Sequence, residues 1–128
     1  MHNNESSENY LETILILSKR LPVVRSVDIA EELNVTKPSV SVAMKKLRES
    51  DCILVSKAGF ITLTPKGMEI ASSIYERHTF ISKWLITLGV PETIAVEDAC
   101  RMEHCISKES FTAMKDFIEK KAEQESFH

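Results

Sequence analysis

The sequence predicts a mostly α-helical chain in two parts, and three observations carry that prediction. Two short helical patterns are joined by the tight "NVTK" turn, and an apolar pair of strands follows directly around "KAG". From Thr64 onward the apolar residues recur at three- and four-residue steps with no further strand pattern. Helix, turn, helix and hairpin in that order make a winged helix-turn-helix. The expected architecture is therefore an N-terminal winged-helix domain, residues 1–71, and a C-terminal helical dimerisation domain, residues 72–128.

The first helix comes from "SSENYLETILILSKR", with Ser6 or Ser7 as N-cap and Tyr10, Ile14 and Leu17 on one face. Asn9 and Glu12 are three apart on a neighbouring, more polar face. The next pattern runs from Ser26 to about Leu33 and buries Ile29, Ala30 and Leu33. Its successor starts near Pro38, a residue suited to a first turn, and carries Val40, Met44 and Leu47 at i, i+4 and i+7. Ile53–Val55 and Phe60–Leu63 form the hairpin, with Lys57 at its tip. Thr64 and Pro65 open a long helix that ends near Gly89, with Ala71, Ile74, His78, Ile81, Leu85 and Leu88 in its apolar stripe. A further helix presents Ala95, Ala99, Met102 and Ile106 on one face and Val96, Cys100, Glu103 and His104 on the adjoining one. The last shows Phe111, Met114, Phe117 and Ile118. A piece this small, apolar on more than one face, cannot bury everything alone, so a homodimer through the second part is expected.

The formal charge of -3 conceals an asymmetry. Between Val35 and Gly67 there are six Lys/Arg against two acids; between Glu92 and His128, nine acids face five Lys/Arg. The basic stretch coincides with the second helix of the helix-turn-helix and the wing, which points to double-stranded DNA. Lys37, Ser39, Ser41, Lys45 and Arg48 are placed to reach phosphates, and Lys57 to touch the backbone from the wing. Pro38, Ser39 and Val42 are the base-edge candidates, Val42 through thymine methyls. No apolar run approaches the roughly 18–20 residues of a membrane span. The polar start and the absence of a disulfide pattern among Cys52, Cys100 and Cys105 favour a reducing, cytoplasmic location.

"ACRMEHCIS" holds the sharpest chemical signal. In a helix, Cys100 shares a face with Glu103 and His104, three and four residues on. Alone, such a stretch is usually packing and solvated polar surface, and His78 on an apolar stripe is usually a hydrogen-bonded core histidine. Cys52 is expected to be a small buried hydrophobe. Cys105 is expected to be structural, because it points about 100° round the helix from His104. The terminal His2 and His128 are assigned nothing.

Together, "NYLETILIL", "DIAEELNVTKPSVSVAMKKL", "GFITLTPKG", "ERH" and "DACRMEHCIS" resemble, in order, the DtxR/MntR family of metal-dependent transcriptional repressors. The resemblance runs through nearly the whole chain and, in length, fits the shorter manganese-responsive branch without an SH3-like domain. It implies that a divalent metal, Fe²⁺ or Mn²⁺, binds between the two domains as co-repressor, one or two ions per subunit. It further implies that the loaded dimer binds palindromic operator DNA. Glu12, His78, Glu103 and His104 match liganding positions of the manganese branch. Cys100 falls where that branch has a carboxylate and the iron branch a cysteine; Asn9 falls where they have Asp and Met. The iron branch's ancillary positions fall on Ser82 and Val96, neither of which is a suitable ligand. The implied ligand set is thus Asn9, Glu12, His78, Cys100, Glu103 and His104, and the thiol and amide tilt it slightly towards Fe²⁺. An enzyme is not expected, since no spare general base accompanies the set. The competing reading is a winged-helix repressor that senses a non-metal ligand.

Overall fold

A computed structural model describes the backbone of residues 2–126 and the side chains of residues 6–121. His128 and the side chain of His2 lie outside the described residues. Among these residues the elements are α1 (His2–Arg20), α2 (Ser26–Leu33), α3 (Lys37–Glu49), β1 (Ile53–Val55) and β2 (Ile61–Leu63), then α4 (Pro65–Thr87), α5 (Glu92–Met102) and α6 (Lys108–Ser126). They pack as two compact units, the first through Tyr75 and the second from Glu76. The division falls inside α4, a little after Ala71.

The first unit closes around one apolar cluster. α1 contributes Tyr10, Leu11, Ile14, Leu15 and Leu17; α2 adds Ile29 and Ala30, and α3 adds Val40, Met44 and Leu47. Ile53 and Ile61 point into the same cluster from the two strands. Contrary to expectation, α1 begins at His2, so Ser6 and Ser7 lie within the helix rather than capping it. No Pro or Gly interrupts that stretch, and Asn and Ser each cost a growing helix under about 0.7 kcal/mol.

Two local devices set the turn between α2 and α3. Asn34 takes the left-handed conformation (φ 54°), which Asn tolerates better than most residues. The Thr36 hydroxyl accepts the Ser39 backbone N–H at 3.3 Å, and Pro38 sits in the first turn. The hairpin is antiparallel and pairs Ile53 with Leu63 and Val55 with Ile61. Its tip turns at Gly59 (φ 85°). The Ile61 N–H also donates to the Val24 carbonyl at 2.8 Å, which fastens the wing to the segment before α2.

A compact latch joins the wing to α4. The Thr64 hydroxyl donates to the Asp51 carbonyl at 2.7 Å and accepts the Gly67 N–H at 3.1 Å. Gly67 lies so close to β1 that a Cβ there would stand 2.0 Å from the Cys52 carbonyl oxygen. Cys52 itself is buried, as expected of a small hydrophobe.

In the second unit Ile81, Ala95, Ala99 and Phe111 are buried, and Phe80 meets Phe111 edge-on at 5.5 Å. Leu88 does not continue the α4 stripe and is exposed. The helix ends at Thr87 and the chain turns at Gly89 (φ 105°), so the periodicity stops one residue earlier than the apolar pattern does. Val96 and Phe117 are also exposed.

Candidate metal centre and nucleic-acid interface

His78 stands in the middle of α4 and Cys100 in the last turn of α5. Glu103 is the residue that ends α5, still in right-handed helical conformation (φ -60°). Helical geometry up to position 103 keeps Cys100 and Glu103 on one side of α5. Their ligand atoms and that of His78 all lie within 4.8 Å of one another. His78 Nδ1 is 2.9 Å from Glu103 Oε2. His104 is drawn in as well: its Nε2 is 3.3 Å from Glu103 Oε1, and its side chain is almost fully buried.

Glu103 is the unusual member of the group. Its side chain is completely buried, whereas the other large side chains buried to that degree among the described residues are aliphatic. Oε1 accepts no well-formed hydrogen bond, although His104 Nε2 stands 3.3 Å away. A buried carboxylate with a spare lone pair is costly unless positive charge meets it. His78 supplies some. Hydrogen bonding to Cys100 and to Glu103 outweighs the effect of burial and lifts its pKa from the ordinary 6.5 to about 10. Without metal, a proton on His78 therefore holds it against Glu103 and Cys100 at neutral pH.

The donor set fits a divalent transition metal. It offers one carboxylate oxygen without a partner, an imidazole nitrogen and a thiol, chemically matched to Fe²⁺, Zn²⁺ or Co²⁺ and, through the carboxylate, to Mn²⁺. Asn9 and Glu12 belong to α1 in the first unit. Glu12 is buried there, whereas its spacing alone suggested a polar surface; the Asn9 carbonyl accepts the Thr13 hydroxyl at 2.8 Å. Cys105 is exposed rather than packed.

One participant escaped the sequence reading. Arg77, next to His78, donates through one terminal nitrogen to the carbonyls of Glu103 (3.1 Å) and Ile106 (2.9 Å). Contacts across 26 and 29 residues leave no periodic trace, and only the adjacency of Arg77 to His78 could have raised it as a candidate.

The basic face lies in the first unit. With Val40, Met44 and Leu47 turned inward, α3 presents Pro38, Val42 and Lys45 on its opposite side. Lys37, Ser39, Ser41 and Arg48 flank that row, and all seven are exposed, as is Lys57 on the wing. Lys46, part of the basic run "MKKLRE", is exposed beside Ser39 and Val42. It lines an open groove of about 740 Å³ whose other walls include Ser6, Ser7 and Tyr10 from α1. Lys66, by contrast, is occupied: its amine donates to the Ser50 carbonyl at 2.9 Å at the end of α3.

Comparison with known proteins decides the class. Residues 3–59 match the iron-dependent repressor N-terminal DNA-binding domain, and residues 64–125 match the iron-dependent repressor metal-binding and dimerisation domain. The chain belongs to the iron-dependent repressor family. It is 34% identical over 119 residues to the transcriptional regulator MntR of Escherichia coli O6:H1, covering 93% of this chain and 77% of that one. An uncharacterised helix-turn-helix regulator from Methanocaldococcus jannaschii is also 34% identical, over 91% of this chain and 95% of its own length. Among solved structures, the manganese regulator SloR superposes with a TM-score of 0.79 at 33% identity. That match covers 88% of this chain, which spans about half of the SloR chain (53%). Family membership makes this repressor a metal-dependent regulator of transcription in class, and the family consists of regulators rather than enzymes. Among the described residues no helix is long and apolar enough to cross a membrane.

Proposed function

We propose that the protein represses metal-homeostasis genes by binding palindromic operator DNA as a cytoplasmic homodimer when Fe²⁺ or Mn²⁺ is bound. The observation that carries this reading is the buried carboxylate of Glu103, with one oxygen unpartnered, set against His78 and Cys100. His78, Cys100, Glu103 and His104 are the proposed ligands from the second unit; Asn9 and Glu12 are proposed to complete the set from α1. When bound, the cation supplies the positive charge that the cluster otherwise obtains from a proton. Glu103 and His104 hold the α5 end of the site, and His78 holds the α4 side.

On the DNA side, Lys37, Ser39, Ser41, Lys45 and Arg48 are proposed to grip phosphates, with Lys57 doing so from the wing and Lys46 from beside the recognition row. Such contacts fix register without reading sequence. Pro38, Ser39 and Val42 are proposed to face base edges, where Val42 can meet a thymine methyl but makes no bidentate purine contact. Dimerisation is supported by the family match of residues 64–125 and by apolar side chains left exposed there, Val96 and Phe117 among them. Metal and DNA affinities are then coupled reciprocally, typically by about 1–3 kcal/mol.

Operator binding titrated with Mn²⁺, anaerobic Fe²⁺ and Zn²⁺ tests the reading. Glu103→Ala and His104→Ala are each expected to abolish metal stimulation of DNA binding while leaving a folded dimer. Full metal response in both variants would overturn it.

A further inference from the structure

We propose that Arg77 is the positioning residue of the metal centre, holding Glu103 and His104 at the correct distance from His78 through the backbone. This rests on the metal reading above. Arg77 and His78 are neighbours on α4, so any segment tied to one is held in register with the other. One guanidinium nitrogen spans two carbonyls, Glu103 at 3.1 Å and Ile106 at 2.9 Å, which lie either side of His104 and Cys105. The bridged segment is the irregular stretch between the end of α5 and the start of α6 at Lys108. Carbonyls at a helix end have lost their intrahelical donors, and Arg77 provides one from outside. Its guanidinium carbon also lies 5.7 Å from the centre of the Phe111 ring, which limits where the head group can go.

Glu103 is consequently fixed twice, by its carbonyl to Arg77 and by its carboxylate to His78. If the first tie is cut, the carboxylate keeps only its bond to His78, and the backbone that sets the following imidazole is released. A donor set with a buried, partly unpartnered oxygen loses affinity steeply when its geometry loosens. Outer groups that orient metal ligands typically contribute 10–100-fold in affinity.

The effect of Arg77 is geometric, exerted through the two carbonyls that it holds. The test uses the full-length dimer titrated with Co²⁺, whose charge-transfer absorption reports the Cys100 thiolate and whose visible bands report coordination geometry. Arg77→Met is expected to lower Co²⁺ affinity 10- to 100-fold and to alter the visible bands, with apo helicity and dimerisation retained. Arg77→Lys keeps the charge but not the planar fork, and is expected to fall between Met and wild type. It also decides the matter if the Met variant does not fold. Wild-type affinity and spectrum in the Lys variant and in any folded Met variant would overturn the positioning role, even if thermal stability fell. Failure of the wild-type protein to show a Cys100-dependent Co²⁺ band would instead overturn the metal reading, and this proposal with it.

Discussion

The two units differ in what their most deeply buried positions hold. Through Tyr75 the large side chains under 2% exposed are all aliphatic, Leu11, Ile14, Ile29, Val40 and Ile53, while Glu12, Thr13 and Thr64 are buried less completely. From Glu76 onward the residues buried to that degree include a carboxylate, while Val96, Leu88 and Phe117 stay in solvent. Burial of a large aliphatic side chain stabilises by roughly 1.5–3 kcal/mol; a carboxylate without full compensation opposes folding. The first unit keeps its innermost positions apolar. The second sets a carboxylate among them.

That contrast can be broken most sharply at Gly67. Any Cβ there meets the Cys52 carbonyl at 2.0 Å, and backbone cannot give way as a flexible side chain can. Gly67→Ala is expected to destabilise the winged-helix unit by about 3 kcal/mol or more, read as a large drop in thermal midpoint with loss of DNA binding. An unchanged midpoint would mean that the β1–α4 approach is looser than the latch indicates.

Acidity separates the units next. His78 has a folded-state pKa raised from 6.5 to about 10 by Cys100 and Glu103. Its protonation therefore stabilises the metal-free second unit fully below about 6.5, and that contribution disappears as pH rises through about 10. Metal binding has the opposite slope, because the ion must displace the proton. Between pH 6 and 8 the affinity is expected to rise at least about tenfold per unit, with about one proton released per ion at His78 and any thiol proton of Cys100 released in addition. Titration calorimetry in buffers of different ionisation enthalpy reads that proton directly, and a pH-independent affinity would contradict the assignment.

Metal preference sharpens the picture further. Cys100→Asp replaces a soft donor with a hard one, so activation by Mn²⁺ is expected to improve several-fold relative to Fe²⁺ or Zn²⁺, and Asn9→Asp to push the same way by adding charge. A flat Cys100→Asp result would reduce Cys100 to a packed neighbour and remove the preference for iron.

The smallest effect belongs to the basic face. Lys45→Ala and Lys57→Ala are each expected to weaken operator and random DNA alike, lowering the log–log salt slope by roughly 0.9 per lost phosphate contact. Val42 replacement is expected to change sequence preference instead. Unaltered slopes in both lysine variants would place the DNA surface elsewhere.

How much of this was legible beforehand follows the same division. Regular periodicity revealed α2, α3 and the wing, because Val40, Met44 and Leu47 repeat at helical spacing and "KAG" marks the turn. The capping role of Thr64 was equally visible, since an N-cap acts within its own first turn. Ser6 and Ser7 misled because a residue suited to a cap is also tolerated inside a helix that nothing interrupts. Leu88 misled because Gly89 ends the periodicity before hydrophobicity does. At the candidate metal cluster, Cys100, Glu103 and His104 stood out as neighbours in sequence, but the meeting of Cys100 and Glu103 with His78 is tertiary. The unpartnered oxygen of Glu103 and the two carbonyl bonds of Arg77 have no local signature at all.

The unpartnered oxygen also bears on how long the protein survives. A ligand that binds only the folded form stabilises it by RT ln(1 + [L]/Kd), about 2.7 kcal/mol when free ligand is a hundred times Kd. If Glu103 ligates the ion as proposed, starvation for metal is expected to withdraw that support from the unit carrying it. Proteolysis of the transiently opened state tracks its equilibrium population when reclosing is fast. Chelation is therefore expected to shorten the half-life of the wild-type protein under limited protease and to leave that of Glu103→Ala nearly unchanged. Under those conditions the supply of metal governs the turnover of its own sensor.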